Sequence, residues 1–205
     1  MALRTTLREA RQKKASFVAK SVLKEKYTYL ELKDKVVVEE DMNSKYTTVA
    51  CTVTISTSEN TEDFKIDGHG HGPVDAFFSS LKSTLVKKFK SLDGLAFQEF
   101  AISADIGRFS QNHSGSNSPV EAVLVVRNDR EEDLIFRNKS RSTNKAALSV
   151  VLSAIEHFIN SEKAVIILSE CIKDAERRNR GDLVEVFTRQ LIELVKNNSY
   201  ERILK

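Results

Sequence analysis

Asp67-Gly68-His69-Gly70-His71-Gly72-Pro73-Val74-Asp75-Ala76 holds three of the seven glycines of this 205-residue chain within five positions. Glycine serves where the backbone takes φ > 0 or comes close to another group. Pro73 suits the first turn of a helix, where its missing N–H has no partner to lose. Val74, Phe77, Phe78, Leu81, Leu85 and Phe89 follow at helical spacing. The pattern predicts a strand around Phe64 and Ile66, a glycine-rich turn, and a helix of about five turns. That helix is expected to end near Ser91–Gly94, with Gly94 as its C-cap. The open N–H groups at its start favour a carboxylate or a phosphate.

Working outward, Tyr27 to Val38 reads as a first strand and Asp41–Ser44 as a turn. Between Tyr46 and Ser56 the alternation is clear. Val49, Cys51, Val53 and Ile55 point one way, and Thr48, Thr52 and Thr54 the other. Glu62 to Ile66 is a short third strand. The order then recurs: Leu95 to Ala104, a polar loop at Gln111–Ser118, Val120 to Arg127, and a short strand at Leu134 and Phe136. A polar turn at Asn138–Asn144 leads to a helix bearing Leu148, Val151, Leu152, Ile155, Phe158 and Ile159 on one face. The chain thus writes strand, strand, strand, helix twice, with a period of roughly 70 residues. The expected fold class is α+β: two pseudo-twofold-related βββα units, 27–94 and 95–160, with flanking N- and C-terminal helices. Residues 1–26 form a basic helix with a broken apolar stripe of Leu3, Leu7, Ala10, Phe17, Val18 and Val22. Residues 161–205 form a helical hairpin, 162–178 and 182–197, broken at Asn179–Asp182.

Composition narrows the function. Apolar residues make up 40% of the chain, enough for a real core. The longest apolar run, Ala164–Leu168, is far below the ~18 residues of a membrane span. With no apolar leader, the chain is expected to be soluble and cytoplasmic. Cys51 and Cys171 sit among apolar neighbours and read as buried free thiols. Residues 1–26 carry +6 and the remainder −3, so the N-terminal helix offers a basic face to a nucleic acid or an acidic partner, or simply to solvent.

Catalytic constellations are missing from the pattern. No nucleophile elbow, P-loop or dinucleotide turn appears. His69 and His71 project to one side of an extended segment, with His113 or Asp75 as conceivable further ligands. Without a third clear ligand they read as solvent-facing, and no metal or other cofactor is expected. Asp75, in a first helical turn, is favoured by the helix dipole. His157 reads as a surface charge late in its helix.

Gly70-His71-Gly72-Pro73-Val74-Asp75-Ala76 resembles the G-x-G-P-V-D-A turn of the C-terminal allosteric domain of α-isopropylmalate synthase and its relative citramalate synthase. The Tyr27–Leu32 and Thr48–Ile55 strands fall where that family has its first two. Ala146-Ala147-Leu148 and Val151-Leu152-Ser153-Ala154-Ile155 are similar to its second helix. The resemblance covers about residues 27–160. It departs at Arg137–Asn144, which has no glycine where the family's second turn is glycine-rich.

The resemblance implies a regulatory module rather than an enzyme. In the family this domain forms homodimers, binds leucine or isoleucine between the units near the subunit interface, and controls a separate catalytic barrel. A barrel needs about 250 residues, for which this chain has no room, so the module reads either as the separated regulatory piece of a synthase, with a separate catalytic subunit, or as a free-standing relative acting on another enzyme. Carried over, the ligand-binding set is Gly70, Gly72, Pro73, Val74, Asp75 and Ala76 at the first turn. At the second turn, pseudo-symmetry adds Ser142, Thr143, Asn144, Ala146 and Ala147. The expected effector is leucine, isoleucine or a related keto acid. The other expectation is a dimerisation scaffold with a degenerate pocket, binding a protein or nucleic acid through the basic helix.

Overall fold

The computed structural model describes residues 2–40, 43, 45–104, 119–196, 198 and 200. The chain opens with helix α1 (Ala2–Leu23). The first unit follows as strands β1 (Tyr29–Glu40), β2 (Thr47–Ser56) and β3 (Thr61–Gly70) and helix α2 (Pro73–Leu85). The second unit has β4 (Ala96–Ala104), β5 (Val120–Arg127), β6 (Asp133–Ser140) and α3 (Thr143–Arg177), and α4 (Gly181–Val195) ends the described helices. Each unit holds its own antiparallel sheet, ordered β1-β2-β3 and β4-β5-β6. The fold is α+β, a βββα unit written twice with flanking helices. The expected loop at Gln111–Ser118, with His113, lies outside the described residues.

Alternation builds the sheets. Val49, Cys51, Val53 and Ile55 are buried on one face of β2, as are Ala122, Leu124 and Val126 on one face of β5. Both faces meet α2 and α3 in one core that includes Phe77, Phe78, Leu81, Val151, Ile155 and Phe158. Two sheets that each need one face covered are thereby covered by a shared pair of helices.

The glycines act by close approach. Gly68 and Gly70 lie inside β3 rather than in a turn, paired with Val49 and Thr47. A Cβ on Gly68 would stand 2.2 Å from Ser80 Oγ and 2.5 Å from the Ala76 carbonyl. A Cβ on Gly70 would stand 2.5 Å from the Ala76 nitrogen. The bare backbone lets α2 settle directly on β3. Only His71 and Gly72 make the turn, and Gly72 is extended.

Three helical expectations change. α2 stops at Leu85 after 13 residues, because the chain turns back so that Phe89 and Leu92 re-enter the core. Gly94 therefore caps no helix; it follows a 3-10 turn, where a Cβ would meet Asp129 Cβ at 2.6 Å. α3 runs unbroken for 35 residues through the expected boundary at 160–162, since no glycine or proline interrupts it. Its polar residues there find partners. The Asn160 amide accepts from the Thr28 N–H at 2.8 Å and donates to the Thr28 carbonyl at 2.8 Å. Glu162 accepts from the Lys90 and Ser91 N–H groups.

The C-terminal half of α3, α4 and α1 enclose a second core of Ala15, Val18, Ala19, Leu23, Ala164, Val165, Leu168, Leu194 and Tyr200. Phe17, expected on the inner stripe of α1, is instead 75% exposed; Ala15, Ala19 and Leu23 take the inner face. α1 also covers the free edge of β6, where the Gln12 side chain accepts from the Ile135 N–H. His157 is buried rather than on the surface. α1 roofs it, with Ser16 Oγ 3.0 Å from its Nδ1, and the Phe136 ring lies edge-on at 5.6 Å. Burial depresses its pKa to about 4.

Candidate functional site

β1 is an edge strand, and its free edge faces α3 across a groove of about 690 Å3. Leu30, Leu32, Asp34, Val36 and Val38 line one wall; Asn144, Lys145, Leu148, Ser149, Leu152, Ser153 and Glu156 line the other, with Asn138 of β6 at one end. Alternation explains the strand wall. The Leu30 N–H points out of the sheet to Glu156 Oε2 at 3.1 Å. Leu30 pairs with Ile55 and Leu32 with Val53, so Leu32 presents its N–H and C=O on the same side as Leu30. The helix wall uses positions three and four apart, which share a face.

The internal symmetry places a second groove between α2 and the start of β4, of about 380 Å3. Aligning the helices by their starts sets Leu148, Ser149, Leu152, Ser153 and Glu156 over Phe78, Ser79, Lys82, Ser83 and Val86, and both sets line their grooves. Strand register sets Leu30 and Leu32 over Leu95 and Phe97. The smaller groove is filled where the larger is open. Phe78 and Phe97 meet edge-on at 5.9 Å where the other unit has Leu148 and Leu32. Lys82 donates to the Leu95 carbonyl at 2.6 Å, and burial lowers its pKa. The equivalent place in the larger groove holds Leu152, leaving space.

The expected binding residues fall into three groups. Asn144 lines the larger groove. Gly70, Val74, Ala76, Ala146 and Ala147 are buried in packing contacts, and none of them lines either groove. Gly72, Pro73, Asp75, Ser142 and Thr143 sit at the two helix starts, half-exposed or exposed. Asp75 closes its helix start by accepting from the His71 N–H at 3.0 Å. Ser142 does the same task for α3, accepting from the Lys145 N–H. The histidines have ordinary partners: His71 stacks on Tyr46 at 5.4 Å, and His69 Nδ1 lies 3.2 Å from Thr48 Oγ1. Among the described residues no group of three or more His, Cys, Asp or Glu could hold a metal ion.

The groove residues on β1 and along α3, Asn144 apart, are not among those the motif singles out. Their signal was present in the alternation Leu30, Leu32 and in the Leu148, Leu152, Glu156 spacing. Which side of β1 stays unpaired depends on the sheet order, and a single strand does not carry that.

The family model for the LeuA allosteric (dimerisation) domain matches residues 9–159. The chain belongs to that family. The match begins inside α1, at residue 9, whereas the motif-level resemblance began only at residue 27. It ends within α3, at the boundary where the second helical core takes over. A LeuA allosteric domain is a regulatory and dimerisation unit and is not itself catalytic. No curated protein matches the chain. Among the described residues no helix is long and apolar enough to cross a membrane.

Proposed function

We propose that this LeuA-type domain is a cytoplasmic regulatory module that dimerises and binds a branched-chain amino acid, leucine or isoleucine, in the groove between β1 and α3. The observation that carries this is the groove's composition. Leu30, Leu32, Val36, Leu148 and Leu152 offer an apolar bed for a branched side chain. The unpaired edge of β1 at Leu32 offers a donor to a carboxylate. Ser149 and Ser153 add hydroxyls one helical turn apart. A small pocket with an apolar lining and few placed polar groups suits a small amphiphilic ligand.

Lys145 lies eleven residues before Glu156, about 16 Å along the helix. One small amino acid therefore reaches only one of them, and the Leu32 end beside Glu156 carries the better apolar bed. The half-exposed Gly72, Pro73 and Asp75 and the exposed Ser142–Asn144, at the two helix starts, are where a second copy, or a ligand at a subunit interface, would make contact. The controlled enzyme would be a separate catalytic chain or domain. The reading of α1 as a nucleic-acid arm has less support, because α1 spends one face on α3, α4 and β6.

The test is a thermal-shift titration with leucine, isoleucine, valine and their keto acids. A ligand at a hundred times its dissociation constant adds about 2.7 kcal/mol, which for this size is roughly 5–10 °C. A shift of that order with one compound supports the reading and identifies the effector. A flat response to all of them rejects it.

A further inference from the structure

Glu156 is the one acidic side chain on the α3 wall of the larger groove. It is half-buried, and its Oε2 accepts from the Leu30 N–H; the Tyr27 hydroxyl donates to it as well. Among the described residues no cationic nitrogen forms an ion pair with it within 4 Å. Lys20, whose ammonium stands 5.9 Å over the Tyr27 ring, acts on it only at longer range. Burial pushes its carboxyl above the usual range, against the pull of the Leu30 N–H and the Tyr27 hydroxyl. A partly desolvated carboxylate without an ion-pair partner gains most from a cation delivered to it. The smaller groove has Val86 at the equivalent position, so the carboxylate belongs to the open groove alone.

Glu156 also belongs to a row. Glu156, Asn160 and Lys163 lie at successive turns of α3, and all three grip the segment that joins α1 to β1. Asn160 holds both backbone groups of Thr28, and the Lys163 ammonium donates to Thr28 Oγ1 at 2.6 Å. The groove wall and the root of α1 therefore share one side chain.

Building on the reading of the groove as an amino-acid site, we propose that Glu156 is its specificity-determining residue. It takes the ligand's ammonium group and so selects amino acids over the matching keto acids. The same contact ties occupancy of the groove to the seating of the Lys26–Leu30 segment and hence of α1. A keto acid of identical shape brings a carbonyl oxygen to the carboxylate instead, which repels it.

The probes are leucine, isoleucine, their keto acids, and 3-methylbutylamine, which keeps the ammonium and branched tail without a carboxylate. Each is titrated calorimetrically against the full chain and against Glu156→Gln, whose amide oxygen still accepts the Leu30 N–H. Amide exchange over residues 24–32 is followed in parallel. The expected result is binding of one amino acid at least tenfold tighter than its keto acid, detectable binding of the amine, and slower exchange over 24–32 on binding. Glu156→Gln should lose the tenfold preference while its circular dichroism stays unchanged. Should that variant not fold, the wild-type comparison of amino acid, keto acid and amine decides alone. Keto acids binding as tightly as amino acids, or a preference that survives Glu156→Gln, overturns the assignment and leaves the groove reading standing. Silence from the whole series overturns both.

Discussion

Replacing Gly70 with alanine tests how the two layers of the first unit meet. The new Cβ would stand 2.5 Å from the Ala76 nitrogen and 2.7 Å from its Cα, both backbone atoms of the first turn of α2. Neither atom can swing aside as a flexible side chain would, so the helix start must lift off β3. Overpacking of this kind costs about 2–3 kcal/mol, and at about 2–4 °C per kcal/mol for this size the melting temperature should fall by about 4–12 °C. Gly72→Ser is the internal control. Gly72 is extended, nothing lies within 4 Å of its Cβ position, and serine there copies the Ser142 cap of α3. That variant should melt at or slightly above the parent temperature, because serine is a good N-cap. The assay is thermal unfolding by circular dichroism on the three proteins side by side. A Gly70→Ala variant that melts within a degree of the parent would refute the close-approach argument. So would a Gly72→Ser variant that falls as far.

Asn160→Ala removes the side-chain partner of both backbone groups of Thr28 and should cost about 2–4 kcal/mol through the unpaired N–H and C=O; the loss should appear first as faster amide exchange at Thr28. His157 gives a pH signature. It stays neutral in the fold to about pH 4, whereas the unfolded chain protonates it near pH 6.5. Its contribution is therefore complete above pH 6.5 and declines by about 3 kcal/mol between there and pH 4. Chemical denaturation at pH 7.5 and 4.5 should show a drop that His157→Gln reduces, and an equal drop in both proteins would contradict the assignment. Widening the smaller groove by Phe78→Leu with Phe97→Leu should cost about 2–3 kcal/mol from the lost volume, and a drop in melting temperature of about 4–12 °C would register it.

Much of the architecture is legible along the chain, because each unit alternates at period two and then switches to the helical period. Val49, Cys51, Val53 and Ile55 announce β2, and Leu148 to Ile159 announce α3. Gly68 and Gly70 announce something unusual, but not what. A glycine selected for φ > 0 and one selected for a crowded Cβ position look alike in sequence. The end of α2 was misplaced for a related reason: Phe89 continues the helical spacing while belonging to the returning chain. The apolar side of α1 depended on a partner surface, formed by α3 and α4, that lies well over a hundred residues away. The groove depended on which edge of each sheet stays unpaired, and on a comparison of Leu32 and Leu148 with Phe97 and Phe78. Motif reading drew attention to the helix starts, where Asp75 and Ser142 serve as caps, and of the expected residues only Asn144 borders the open groove.

The central claim, that the open groove between β1 and α3 is the effector site of a LeuA-type domain, has a direct measurement. Leu148→Phe puts into the larger groove the residue that helps close the smaller one at the equivalent position. Titration calorimetry with leucine and isoleucine, run on the parent and on this variant, reads occupancy without any assumption about a catalytic partner. The account predicts one amino acid bound per chain in the parent and binding weakened at least tenfold in a variant that remains folded. Binding of undiminished affinity in Leu148→Phe, or two ligands per chain in the parent, would contradict it.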